Sequence, residues 1–174
     1  DVAAGPAALT ERRGNVLIIT LNRPEARNAV NAAVSTAVGD ALQQAQEDPE
    51  VRAVVITGAG ETFCAGADLK AISRRESIFH PDRGDWGFAG YVQHYIDKPT
   101  IAAVNGTALG GGTELALASD LVVAEESSSF GLPEVKRGLI AAAGGVFRIV
   151  EQLPRKVAMR LLFTGEPITA AEAL

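Results

Sequence analysis

Four short apolar runs constrain this chain more than any other feature. Val16–Leu21, Ala53–Thr57, Ile101–Val104 and Leu121–Ala124 are rich in aliphatic residues and read as strands. Between the first two, the segment Asn31–Glu47 carries Val34, Val38, Ala41, Leu42 and Ala45 at helical spacing, and Asp48 and Pro49 stop it. Strands alternating with helices predict an α/β domain with crossover connections. The Ala53–Thr57 run is apolar nearly throughout, as a strand covered on both faces is. The pattern leaves open whether the sheet is doubly wound or coiled into a spiral. With 174 residues, 47% of them hydrophobic, the chain holds enough for one domain with a real core.

The remaining elements follow the same logic. Leu69–Glu76 reads as a helix, and Ser77–Asp85, with Pro81 and Gly84, as the most mobile segment. Trp86, Phe88, Tyr91, Val92, Tyr95 and Ile96 recur at helical spacing and predict a second amphipathic helix, ended by Pro99. A helix over residues 112–119 follows, then a turn and short strand within Ser127–Gly131 and a helix start at Pro133. Gly144 and Gly145 precede a helix to about Leu153, and Pro154 opens another that ends near Gly165. Residues 1–8 read as a mobile lead-in and 9–168 as the core domain. Thr169–Glu172 is a capping box, the signature of a helix beginning, so residues 169–174 read as the start of a truncated C-terminal helical region.

Charge and composition narrow the function. The net charge is −5 with no dense Lys/Arg run, which argues against a nucleic-acid surface. A lone Cys64 excludes an internal disulfide and fits a reducing compartment. No apolar run approaches membrane-spanning length, and the first residues lack a signal-peptide pattern, so the expectation is a soluble cytoplasmic protein with no membrane partner. His80 and His94 lack metal-ligand spacing, and no metal site is expected. Cys64 has no neighbouring His and reads as a small buried filler rather than a nucleophile.

Two glycine-containing turns follow buried strands, Cys64–Asp68 and Gly110–Gly112. Three consecutive glycines let a ligand approach bare backbone N–H groups, and the helix that follows presents the positive end of its dipole. Glu114 sits in the first turn of that helix. Glu134 comes one helix, one strand and one turn later, a unit that returns the chain to the same end of a sheet. Paired carboxylates suit addition or removal of water, and paired N–H groups suit a developing enolate oxygen. Asp68 has two open readings, a ligand group or the cap of the helix starting at Leu69. The aromatic residues from Trp86 to Tyr95, at helical spacing, are more often core than a ligand platform.

Four stretches carry a more specific signal: Asn22–Ala29, Phe63–Lys70, Lys98–Ala116 and Phe130–Gly138. In order and spacing, from about Leu9 to Leu174, they resemble the crotonase superfamily, in particular the enoyl-CoA hydratases, with likeness also to carnitinyl-CoA dehydratases. The resemblance implies a crotonase-like spiral of ββα units and an acyl-CoA substrate. It assigns the backbone N–H groups of Ala67 and Gly111 to the thioester oxyanion. It assigns Glu134 to protonation of the α carbon and Glu114 to the water. Ala65, Gly66, Asp68, Leu69 and Lys70 are implied along the adenine and pantetheine path, with Gly110 and Arg27 also at the substrate. Coenzyme A is then part of the substrate, and no separate cofactor is implied. The family also implies a homotrimer or dimer of trimers, built by C-terminal helices that this sequence lacks. Both glutamates favour reversible hydration of a 2-enoyl-CoA. Carnitinyl-CoA dehydratase, enoyl-CoA isomerase and a non-catalytic binding module are the alternatives. Gly138–Gly145, with Ala141 and Ala142, departs from many hydratases and leaves the acyl specificity open.

Overall fold

The computed structural model describes residues 5–174. Residues 1–4 of the expected lead-in lie outside the described residues, and Ala8 already belongs to the first strand. That strand, β1 (Ala8–Arg13), turns back through Gly14 onto β2 (Val16–Leu21) as an antiparallel pair. Helix α1 (Ala32–Glu47) follows, capped by Asn31, whose side chain accepts from Val34 N. Its buried stripe Val34, Val38, Ala41, Leu42 and Ala45 faces the sheet. Burying each large aliphatic side chain contributes roughly 1.5–3 kcal/mol before entropy is subtracted.

From there the chain coils. β3 (Ala53–Gly58) joins β2 in parallel, while β4 (Thr62–Cys64) leaves for a second sheet and leads into α2 (Leu69–Ser73). The next turn repeats this. β5 (Thr100–Val104) pairs with β3, β6 (Thr107–Leu109) pairs with β4, and α3 (Gly111–Ala118) follows. β7 (Leu121–Ala124) and β8 (Ser129–Gly131) make the third turn, with a 3-10 turn over Pro133–Arg137 and α4 (Gly145–Gln152). The sheets are ordered β1-β2-β3-β5-β7 and β4-β6-β8, the latter closed by β9 (Ile168–Thr169). α5 (Arg155–Thr164), the short β9 and α6 (Ala170–Ala173) complete the chain, with the Thr169/Glu172 capping box formed. This is a spiral of ββα units, not a doubly wound sheet.

The expected helix from Trp86 to Ile96 does not form. The segment instead makes two short 3-10 turns, Gly84–Trp86 and Phe88–Gly90, and Ala89 takes a left-handed φ of 59°. Gly90, at φ 62°, lies against α1 so closely that an added Cβ would stand 2.3 Å from the Ser35 carbonyl oxygen. The apolar positions are still buried (Trp86, Phe88, Tyr91, Val92 and Ile96), but Tyr95 is exposed. Ser77–Asp85, read as mobile, is pinned: Ser35 Oγ donates to Ile78 O at 2.6 Å, and buried His80 meets Asp40 at 3.2 Å. β7 departs from the buried parallel strand in another way. As the last strand of its sheet it leaves Leu121, Val122 and Val123 exposed.

Candidate active site

Parallel pairing of β4 with β6 brings the two glycine turns out at the same end of the second sheet. The first turn is held by backbone bonds to the segment before α1. Ala65 N donates to Arg27 O at 3.0 Å, Val30 N to Gly66 O at 2.8 Å, and Asp68 N to Val30 O at 2.9 Å. The second is tied to β8 by Gly110 N donating to Gly131 O at 2.9 Å. Gly66 has φ 92°, and a Cβ there would stand 2.9 Å from Leu109 O and 3.1 Å from Gly111 N. The turns therefore touch backbone to backbone, and only glycine permits it. Among the hydrogen bonds of the described residues, none uses the N–H of Ala67 or Gly111.

Glu114, in the first turn of α3, is only 3% exposed. Its Oε1 accepts from Gly145 N at 2.8 Å. Burial pushes its carboxyl up to about 7. The backbone N–H of Gly145 opposes that rise, and the nearby Glu134 charge adds to it. Glu134 rides on the 3-10 turn after β8, opened by Pro133. A Cβ on Gly110 would stand 2.9 Å from its Oε1. Its Oε2 is buried without a hydrogen-bond partner, and burial raises its pKa as well. The helix–strand–turn spacing has thus brought both carboxylates to the mouth of the second glycine turn.

A cleft of about 940 Å³ runs past these groups. Ala65, Gly66, Ala67, Gly110, Gly111, Glu114 and Glu134 line its floor region together with Leu69, and Arg27 and Lys70 stand exposed on its wall. Arg137 joins them as a third basic residue. Asp68 also borders the cleft, but its carboxylate is fully engaged. Oδ1 accepts from Lys70 N and Ala71 N, and Oδ2 pairs with Arg23 at 2.9 Å. Of its two readings, the helix cap is the one the geometry carries. Arg23 buttresses that cap and the Ala29 carbonyl. Cys64 is buried behind the turn, its thiol pushed up to about 12 by burial, which suits a filler and not a nucleophile.

Three further residues contribute, two of which, Gly145 and Thr113, sequence reasoning did not assign to the site. Gly145 orients Glu114, a role that neither the helix start at Gly144–Gly145 nor the Gly138–Gly145 departure suggests. The same logic that picked out Gly110–Gly112, bare N–H groups at a helix N-terminus, would have found it. Phe88 packs its ring on Gly111 so tightly that a Cβ there would lie 2.3 Å from the ring edge. Thr113 Oγ1 contacts Ala108 O and Gly131 O at 2.8 Å and accepts from Gly131 N, fastening β6 to β8 beneath the site.

A ββα spiral with two touching glycine turns and a buried and a half-buried carboxylate at one sheet end defines a protein of the crotonase class. Within it, the chain belongs to the enoyl-CoA hydratase/isomerase family, whose profile matches residues 11–174. It is 48% identical over 165 residues to carnitinyl-CoA dehydratase of Salmonella enteritidis PT4, covering 94% of this chain and 62% of that relative. A solved carnitinyl-CoA dehydratase from Mycobacterium avium 104 is 80% identical, with a TM-score of 0.95 over 97% of this chain and 66% of that one. The enoyl-CoA hydratase of Mycobacterium tuberculosis H37Rv is 48% identical at a TM-score of 0.91, again with 97% and 66% coverage. The chain thus spans somewhat less than two thirds of the curated relative's length.

Proposed function

We propose that this chain is the core of an acyl-CoA hydro-lyase that reversibly adds water to a 2-enoyl-CoA, giving a 3-hydroxyacyl-CoA. The buried, unpartnered Oε2 of Glu134, whose other carboxyl oxygen lies beside Gly110, is the observation that carries this reading. A carboxyl oxygen held out of water with no partner is poised to exchange a proton with a ligand. The thioester carbonyl accepts from Ala67 N–H and Gly111 N–H. Glu114 takes a proton from water as its oxygen bonds to C3. The C2=C3 π pair becomes the C1=C2 bond of the enolate as the carbonyl π pair moves onto oxygen, and Glu134 then delivers a proton to C2 as that pair re-forms the carbonyl. One carboxyl must take a proton and the other give one, and burial raises both above the ordinary carboxylate range, Glu114 to about 7. Loss of one oxyanion donor costs about 3 kcal/mol of barrier in comparable sites. The reading carries no resident cofactor, a cytoplasmic location, and the homotrimer or dimer of trimers expected from the family.

The 80% identity to a solved carnitinyl-CoA dehydratase favours a second reading with the same chemistry, in which crotonobetainyl-CoA is the substrate. Offering crotonyl-CoA and crotonobetainyl-CoA separately, and following loss of the conjugated thioester absorbance, distinguishes the two. Glu134→Gln is expected to lower kcat about 100- to 10,000-fold with little change in KM. Absence of hydration on both substrates, with Glu134→Gln matching wild type on other enoyl-CoAs, overturns the hydro-lyase assignment.

A further inference from the structure

We propose that Arg148 is a positioning residue, whose guanidinium joins the segment holding Glu114 to the segment packed on Gly111. The inference rests on the reading above, in which Glu114 activates water. Arg148 lies in α4, one turn beyond Gly145, and its side chain folds back across the start of its own helix. Nη1 donates to Ala143 O at 3.2 Å and Nη2 to Val92 O at 2.8 Å. The path over the helix start exists only because residue 144 lacks a side chain: a Cβ there would stand 2.1 Å from Nη1.

Each carbonyl belongs to a different half of the site. Ala143 lies two residues before Gly145, whose N–H holds Glu114 Oε1 at 2.8 Å. Val92 is bonded through its own N–H to Phe88 O at 3.2 Å, and Phe88 is the ring packed on Gly111. Among the described residues Arg148 forms no ion pair with a carboxylate, so its charge is satisfied by backbone carbonyls and left to act on the site. The groups whose charge reaches Glu114 are Glu134, which disfavours its ionised form, and Arg148, which favours it. Guanidinium geometry suits the task, since a planar fork reaches two carbonyls where an ammonium grips a point. A misplacement on the scale of one ångström at the reacting groups costs on the order of 100-fold.

The test compares wild type with Arg148→Gln, Arg148→Lys and Glu114→Gln. Arg148→Gln removes the charge and keeps one donor, and Arg148→Lys keeps the charge and loses the fork. Glu114→Gln judges the underlying reading by itself: hydration must collapse in it. Given that collapse, Arg148→Gln is expected to lower kcat about 10- to 100-fold with KM within about threefold, and Arg148→Lys to recover part of the loss. A second readout needs no turnover. The Glu114 carboxyl resonance, in protein labelled with carbon-13 glutamate and assigned by its absence in Glu114→Gln, titrates in each variant. Its midpoint is expected to move up in Arg148→Gln and to return toward wild type in Arg148→Lys. An unmoved midpoint in a folded Arg148→Gln protein overturns the proposal. So does an equal fall in kcat for Gln and Lys with an unchanged pH–rate profile, the mark of a purely structural arginine. If Arg148→Gln fails to fold, the Lys variant decides alone: wild-type kcat in it rules out a role for the two-carbonyl fork.

Discussion

Glu114 works against the stability of the fold that holds it. Burial pushes its carboxyl up to about 7 in the folded protein, against an ordinary value of 4.5. Below pH 4.5 both folded and unfolded states carry the proton, and no penalty exists. As pH rises from there toward 7 the unfolded chain ionises first, and the folded state loses stability relative to it. At pH 8 the loss is complete, about 3 kcal/mol by linkage. Glu114→Gln removes that penalty while its amide oxygen can still accept from Gly145 N. It is therefore expected to gain roughly 1–3 kcal/mol at pH 8 and nothing at pH 4. Urea denaturation at the two pH values measures this, and equal effects at both would contradict the burial argument. The same variant is inactive under the proposed mechanism, so the trade between stability and activity is confined to one carboxyl.

At the scale of elements, the loop from Trp86 to Ile96 gives the sharpest contrast between pattern and outcome. Its apolar residues sit at helical spacing, and they are buried as expected, yet the backbone is not helical. Spacing reports which residues leave water; it reports helix only if each residue between can take right-handed φ. Gly87 and Gly90 instead adopt positive φ, and Gly90 does so against the backbone of α1. Gly90→Ala is expected to destabilise the protein by about 2–4 kcal/mol, combining a strained φ with a clash against Ser35 O. A denaturation midpoint equal to wild type would show that α1 and the loop yield easily. The strands missed by sequence have other causes. β4 and β6 have three residues each, too few to establish a period. β1 was hidden because Thr10, Glu11, Arg12 and Arg13 are exposed along an edge. By contrast α1, with four turns and an asparagine cap, was plain, since it rests on several residues with one interpretation, whereas the Gly110–Glu114 stretch was legible as a strand-to-helix turn but became a candidate site only when read together with Cys64–Asp68 and Glu134. Glu134 could be paired with Glu114 because chain connectivity, rather than periodicity, carries that inference.

Taken as a whole, the molecule is acidic, yet its cleft has a basic flank. Arg23 is paired with Asp68 and Lys136 with Glu166, whereas Arg27, Lys70 and Arg137 stand on the cleft wall without an ion-pair partner among the described residues. Such charges are free to meet an anionic ligand such as the phosphates of coenzyme A. Because they are exposed, salt screens them, with a Debye length of about 10 Å at 0.1 M. The double variant Lys70→Ala/Arg137→Ala is expected to raise KM for an acyl-CoA about three- to tenfold at low salt, with kcat unchanged and the difference shrinking at 0.5 M salt. A KM insensitive to both mutation and salt would place the phosphates elsewhere.

The pairing of β4 with β6 also sets a gauge. The turns carrying Ala67 and Gly111 leave adjacent parallel strands, whose separation of about 4.8 Å is imposed by backbone hydrogen bonding and is the same for almost any sequence. The interval between the two N–H groups is thus inherited from the weave of the sheet. Side chains nearby, including Glu114 and Glu134, can change without stretching it. A scaffold of this kind keeps a constant grip on one polar group of a ligand while the chemistry performed beside that grip is free to diversify.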